Sequence, residues 1–297
     1  MLFERQRLLL TLLDALDGPV ANTDFQKLLF LYTQQFEESP TYEFVPYKFG
    51  GFSFTSYADK RKLAEAGFLT GDDNHWQLTE TGRQIARTQA VKPLVVARFC
   101  REHAELRGNA LIAEQYRKFP YYATRSEIVD KILPDAESHQ RVAQARPKKA
   151  RAGLVTIGYE SRSLEAYLNL LLKNSVTLLC DVRRNPLSRK YGFSKGTLSK
   201  ACEGVGIRYE HLPELGIASE ERRDLKTQAD YDALFTEYER TSLPKQTEAL
   251  ARIRGWLEQS ERVALTCYEA RPDQCHRHCV AEALERQLGQ EFLLSHL

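Results

Sequence analysis

The sequence contains no apolar run near the roughly 20 residues a membrane-spanning helix needs. Met1-Leu2-Phe3-Glu4-Arg5 also lacks the basic start and apolar core of a signal peptide, so a cytoplasmic protein with no membrane partner is expected. Glycine-rich phosphate loops of the G-x-G-x-x-G and Walker types are missing, leaving no signal for NAD or ATP, and no cofactor is expected. Cysteine is sparse. Six are scattered over 297 residues without a Cys-x-x-Cys pair, which excludes a disulfide scaffold and predicts free thiols that are buried or reactive. Neither sign of charge dominates, with 42 Lys+Arg against 40 Asp+Glu. A 42% hydrophobic content excludes a disordered chain, and this length suggests two globular units.

The charges are unevenly placed. Residues 141–152 hold five basic side chains and no acid around one proline, the composition of a linker between a domain at 1–140 and another at 153–297. Within the second domain, Val182 to Cys202 has six basic residues and no acid, so the remainder of that domain is net acidic. Segregation of this kind predicts a positive face built for an anionic ligand.

In the first domain Leu8, Leu9, Leu12, Leu13 and Leu16 fall at helical spacing before Gly18-Pro19. A second helix is expected from an Asn22/Thr23 cap to about Ser39-Pro40, with Phe25, Leu28, Leu29 and Tyr32 inward. After a loop from Tyr42 to Gly51, Ser53 caps a third helix that ends at Gly67. Phe68-Leu69 and His75 to Leu78, either side of Gly71-Asp72-Asp73-Asn74, predict a hairpin, and Thr79 caps the next helix. This is the order of a winged-helix-like, mostly helical domain, whose third helix can enter the major groove. Lys60, Arg61 and Lys62 are then candidate DNA contacts, together with Arg189 and Lys190 of the basic stretch, while protein docking is the other use of such a unit. Lys27-Leu28-Leu29-Phe30 and Tyr47-Lys48-Phe49-Gly50-Gly51-Phe52-Ser53 resemble the Panacea or SocA-like antitoxin domain over about the first 85 residues. The resemblance departs where that family usually has Gly-Pro and this chain has Gly50-Gly51. Residues 92–134 are expected to be helical, with Leu94, Val95, Phe99, Leu111, Ile112, Tyr116, Ile128 and Ile132 in the core.

The second domain has four apolar runs, Leu154–Ile157, Val176–Leu179, Ile207–Tyr209 and Val263–Thr266, each followed by polar residues and a helical stretch. That alternation predicts an α/β domain with a mostly parallel sheet, whose ligands bind outside the carboxyl ends of the strands. Tyr159, Glu160 and Arg162 follow the first run, with Ser163 as a helix cap. Asp181, Arg183 and Arg184 follow the second, His211 the third, and Cys267, Glu269, Cys275, His276 and Arg277 the fourth.

Gly158-Tyr159-Glu160-Ser161-Arg162-Ser163, Asp181-Val182-Arg183 with Pro186 and Ser188, Phe193 with Leu198, and Gly206-Ile207-Arg208-Tyr209 resemble the domain of unknown function 488 family. So do Leu212-Pro213-Glu214-Leu215-Gly216, Cys267-Tyr268-Glu269 and Cys275-His276-Arg277. Together they span about 130 residues in the family's order, with Ser161 where glycine is commoner. The resemblance implies a Rossmann-like α/β domain that recurs in bacteria in nucleic-acid-linked or defence contexts.

Tyr159, Arg162, Arg183, Arg184, His211 and Arg277 are the candidate ligand-binding residues. Guanidinium groups bind phosphate bidentately, and a helix start offers unpaired N–H groups, although either Arg183 or Arg277 can instead pair with Asp181 or Glu269. Glu160, Asp181, Glu269 and His276 are candidate acids and bases. Cys267 and Cys275 are candidate reactive thiols, Cys275 the more so at its helix start and Cys267 the more structural. A rhodanese-like or Cys-phosphatase loop does not fit, because nine residues separate Cys267 from Arg277. Cys275, His276, His278 and Cys279, with Cys267 nearby, form a zinc candidate that is disfavoured: Cys275 and Cys279 lie one turn apart, but His276 and His278 point to different sides, so no metal is expected. Tyr191 and Tyr209 can stack on bases, whereas Phe193 is assigned to the core. The leading expectation is a protein that binds nucleic acid or a nucleotide, and that as an enzyme hydrolyses a glycosidic or phosphodiester bond. A non-catalytic, antitoxin-like regulator with a protein partner or small effector is the second. Thiol-dependent sulfur transfer is the third.

Overall fold

The computed structural model describes residues 2–218, 220–222, 225–288 and 294–297, which divide into two compact units, 1–146 and 147–297. Among the described residues no helix is long and apolar enough to cross a membrane.

The N-terminal unit is mostly helical. Helix α1 (Glu4–Leu16) buries Leu8, Leu9, Leu12 and Leu13, and the chain leaves the helix through positive φ at Asp17 and Gly18. Strand β1 (Val20–Ala21) precedes α2 (Asn22–Phe36), which buries Phe25, Leu28, Leu29 and Tyr32 and has no side-chain cap. The segment expected to be a loop forms an antiparallel hairpin, β2 (Val45–Tyr47) and β3 (Gly50–Phe52), turning at Lys48-Phe49 into Gly50 at φ +94°. Ser53 caps α3 (Phe54–Glu65) through the amide of Ser56, and Thr79 caps α4 (Glu80–Thr88) through that of Gly82. Leu69 bridges Leu78 as expected, but β4 (His75–Trp76) pairs antiparallel with β1. Four further helices follow: α5 (Pro93–Glu102), α6 (Gly108–Lys118), α7 (Val129–Ile132) and α8 (Ala136–Gln144). Leu94 corrects the core assignment. The phase set by Pro93 turns Val96 and Phe99 inward and leaves Leu94 85% exposed. The basic stretch expected to be a linker starts inside α8, whose Val142 is buried.

Lys60 corrects the list of DNA contacts. Its ammonium is turned inward, donating to Asn22 Oδ1 (2.9 Å) and the Asp72 carbonyl (3.0 Å) above the Trp76 ring, whereas Arg61 and Lys62 are exposed.

The C-terminal unit is α/β. Its elements are β5 (Gly153–Gly158), α9 (Leu164–Lys173), β6 (Leu178–Asp181), α10 (Lys195–Gly204), β7 (Arg208–His211), α11 (Gln228–Glu237), α12 (Thr247–Glu258), β8 (Arg262–Cys267), α13 (Arg277–Leu288) and β9 (Leu294–His296). Among the described residues the strands form one parallel sheet in the order β7-β6-β8-β5-β9. Helices cover both faces of such a sheet, which is why β5 and β6 are buried throughout and read as unbroken apolar runs. The chain leaves β6 for β7 on one side and β8 for β9 on the other. The carboxyl ends of these two central neighbours therefore bound the crevice in which open α/β sheets hold ligands.

Candidate functional site

β6 ends at Asp181, and Arg183 folds back onto it. The guanidinium Nε and Nη2 donate to the two carboxylate oxygens at 2.8 and 2.5 Å, while Nη1 donates to Tyr159 Oη (2.8 Å) and the Phe193 carbonyl (2.9 Å). Tyr209 Oη donates to Asp181 Oδ2 at 2.6 Å. Burial works against the charged form of Arg183, but its hydrogen bonds and attraction to Asp181 win, and its pKa is raised. Burial, then the Asp181 charge, pushes the Tyr209 phenol up as well. Asp181 is fully enclosed and braces the β6 loop through these bonds.

Arg277, at the start of α13, is entirely buried. It donates to the carbonyls of Glu269 (2.5 Å) and Ala270 (2.9 Å) and lies outside the cavity wall. Arg183 lines the cavity but is bonded to Asp181, Tyr159 and the Phe193 carbonyl, and Arg277 directs both terminal nitrogens to carbonyls of its own loop, so these two expected ligand-binding arginines have internal partners. Three other expected ligand or acid residues also have internal partners and lie outside the cavity wall. Glu160 accepts from the Ala270 amide (2.9 Å), Arg162 donates to the Gly158 carbonyl (3.3 Å), and His211 Nε2 sits 2.9 Å from the Arg183 carbonyl.

What opens at this edge is a cavity of about 670 Å³. Its outer part carries Arg184, Arg189, Lys190 and Arg222, with Tyr268 45% exposed beside them. Arg184 and Arg189 are exposed and have no acid partner among the described residues, Lys190 donates to the Tyr159 carbonyl, and Arg222 pairs with Glu269 Oε1. Tyr159 lines the wall, stacked on the buried Phe193 at 4.3 Å between centroids. Two glycines permit the close packing behind it. A Cβ on Gly158 would stand 1.8 Å from the Glu269 carbonyl oxygen, and one on Gly216 would stand 2.1 Å from the Arg184 amide.

The buried end of the cavity is formed by Cys267, Glu269 and His276. Cys267 Sγ is 3.3 Å from Glu269 Oε2 and 3.9 Å from His276 Nδ1, and the Cys275 thiol lies directly behind. The hydrogen bond from Cys275, aided by His276 and Arg222 and opposed by burial, holds the Cys267 thiol well below its ordinary range. Burial and then Cys267 push Cys275 well above it. Cys267 is buried, as expected, while Cys275, expected at an exposed helix start, is fully buried as well. Cys275 lies outside the cavity wall, whereas Cys267 at the strand end lines it.

Sequence reasoning missed Arg222, which sits after two glutamates in no recognisable motif, and gave Tyr268 no role although it follows Cys267 directly. Residues 163–284 match the model of a family described as a domain of unknown function, DUF488. No curated protein and no solved structure matches the chain.

Proposed function

Starting from a C-terminal part whose family carries no assigned activity, we propose that this unit binds a phosphate-bearing ligand, a nucleotide or a stretch of nucleic acid, and hydrolyses a phosphodiester or glycosidic bond in it. The observation that carries this reading is the gathering of Arg184, Arg189, Lys190 and Arg222 around one cavity whose buried end holds a carboxylate, an imidazole and a thiol. Cations of this kind position phosphates, and the exposed Tyr268 offers a face on which a base can stack. The N-terminal unit supports a winged-helix-like role in docking nucleic acid, through the pairing of β1 with β4 and the exposed Arg61 and Lys62 on α3.

Binding of a short fluorescent single-stranded oligonucleotide to the full chain at low salt tests the reading. The variant Arg184→Glu/Arg189→Glu is expected to bind at least about tenfold more weakly, while Arg254→Glu on the outer surface of α12 changes little. Equal affinity in all three proteins would remove the cavity from the account. A second reading, thiol-dependent transfer at Cys267, is favoured by its place in the cavity wall. It predicts loss of turnover, with binding kept, in Cys267→Ser.

A further inference from the structure

We infer that Cys267 Sγ, Cys275 Sγ and His276 Nδ1 bind one divalent transition ion of the zinc class, with the fourth coordination position open to the cavity beside the Glu269 carboxylate. The three donor atoms lie within 4.8 Å of one another, and all three side chains are buried. Tetrahedral zinc, with bonds of about 2.3 Å to sulfur and about 2.0–2.1 Å to nitrogen, spaces its donors by roughly 3.5–4 Å. The 3.9 Å between Cys267 Sγ and His276 Nδ1 already meets that spacing. Two thiolates and an imidazole are soft and borderline donors, which select zinc-like ions over magnesium or calcium.

The surroundings match a metal centre too. His276 Nε2 faces the Val182 carbonyl at 3.0 Å, which puts its proton on Nε2 and directs the Nδ1 lone pair at the sulfurs. The loop between the ligands is held on three sides. Arg277 grips the Glu269 and Ala270 carbonyls, Glu160 accepts from the Ala270 amide, and Gly158 lets β5 pack directly on Glu269. The sequence counted against zinc that His276 and His278 point to different sides; His278 is not among the three ligands, its Nδ1 lying against the Cys275 carbonyl with Cys279 Sγ beside the same ring. The third ligand is Cys267, at the end of β8.

Three protein ligands with an open position facing a cavity are the arrangement of catalytic and not of structural zinc. That catalytic consequence rests on the hydrolytic reading above, whereas occupancy by the metal does not, and the two are measured separately. Untagged full-length protein from zinc-supplemented culture is expected to carry about one zinc per chain by mass spectrometry. Cys275→Ser should lower that content at least tenfold, and Cys279→Ser should leave it. Folding of the variants need not be assumed, since the wild-type chain gives its own signature. Cobalt added to metal-free protein is expected to produce thiolate charge-transfer absorption and the intense visible bands of four-coordinate cobalt. X-ray absorption at the zinc edge is expected to show two sulfurs at about 2.3 Å with lighter scatterers at about 2.0–2.1 Å. A chain without zinc that gives no thiolate–cobalt band, or a zinc shell lacking two sulfurs, overturns the inference. Metal without oligonucleotide binding defeats the hydrolytic reading alone. Binding without metal defeats this inference alone, and alkylation of Cys267 by iodoacetamide then assigns the site to thiol chemistry.

Discussion

Replacing Arg183 with Met is expected to cost the C-terminal unit about 3–5 kcal/mol, the usual consequence of leaving a buried carboxylate without its cation. Asp181 is fully enclosed, and its other partners are the Tyr209 hydroxyl and the Arg183 amide, neither of which carries charge. For a unit of this size the loss corresponds to a fall in melting temperature of roughly 8–15 °C. The double variant Arg183→Met/Asp181→Leu removes both charges and should be less destabilised than Arg183→Met alone, because the cost lies in the orphaned carboxylate. Thermal melts of the full-length proteins decide the point. A ligand-binding arginine predicts the opposite result, in which oligonucleotide affinity is lost and stability is nearly unchanged.

Replacing Lys27 with Met is expected to stabilise the N-terminal unit at pH 6 by roughly 2–4 kcal/mol. The Lys27 ammonium is buried in α2, donating to the Gly51 carbonyl at 2.9 Å. Burial lowers its pKa to about 7 against the partial support of Asp24. Below pH 7 both folded and unfolded chains hold the proton, and the folded state bears the whole cost of a buried charge. Between pH 7 and the ordinary lysine range near 10.5 the unfolded chain alone keeps the proton, so stability rises with pH, and above that range the cost is gone. The full shift amounts to an upper bound on the order of 5 kcal/mol, from which the lost hydrogen bond to Gly51 subtracts about 1. The gain should therefore shrink toward zero or turn slightly negative by about pH 10. A variant destabilised equally at pH 6 and pH 10 contradicts this account of Lys27.

The parallel sheet was legible because strands buried on both faces leave unbroken apolar runs, and the position of the site followed from the rule that such sheets bind ligands at their carboxyl ends. β9 escaped notice: three residues, Leu294–His296, are too few to show a period. The hairpin at Val45–Phe52 was hidden by Pro46 and the paired glycines, which signal a loop when taken alone. At this edge the side chains read from the sequence follow the strand ends, but their partners were not legible. Arg183 has a carboxylate two positions away, and Arg277 has two backbone carbonyls across a tight turn, so both face inward. Arg184 and Arg189, with no such neighbour, carry the exposed charge. The same difficulty concealed the burial of Cys275, since the accessibility of a cysteine depends on what covers it.

If the cations at this edge serve a polyanion, oligonucleotide binding to the wild-type chain weakens steeply as salt is raised. Arg184, Arg189 and Lys190 acting on a single strand predict that the logarithm of affinity falls against the logarithm of salt concentration with a slope of about −2. Arg184→Glu/Arg189→Glu should flatten that slope. No binding at low salt, or binding whose strength is indifferent to salt and to those two arginines, contradicts the claim.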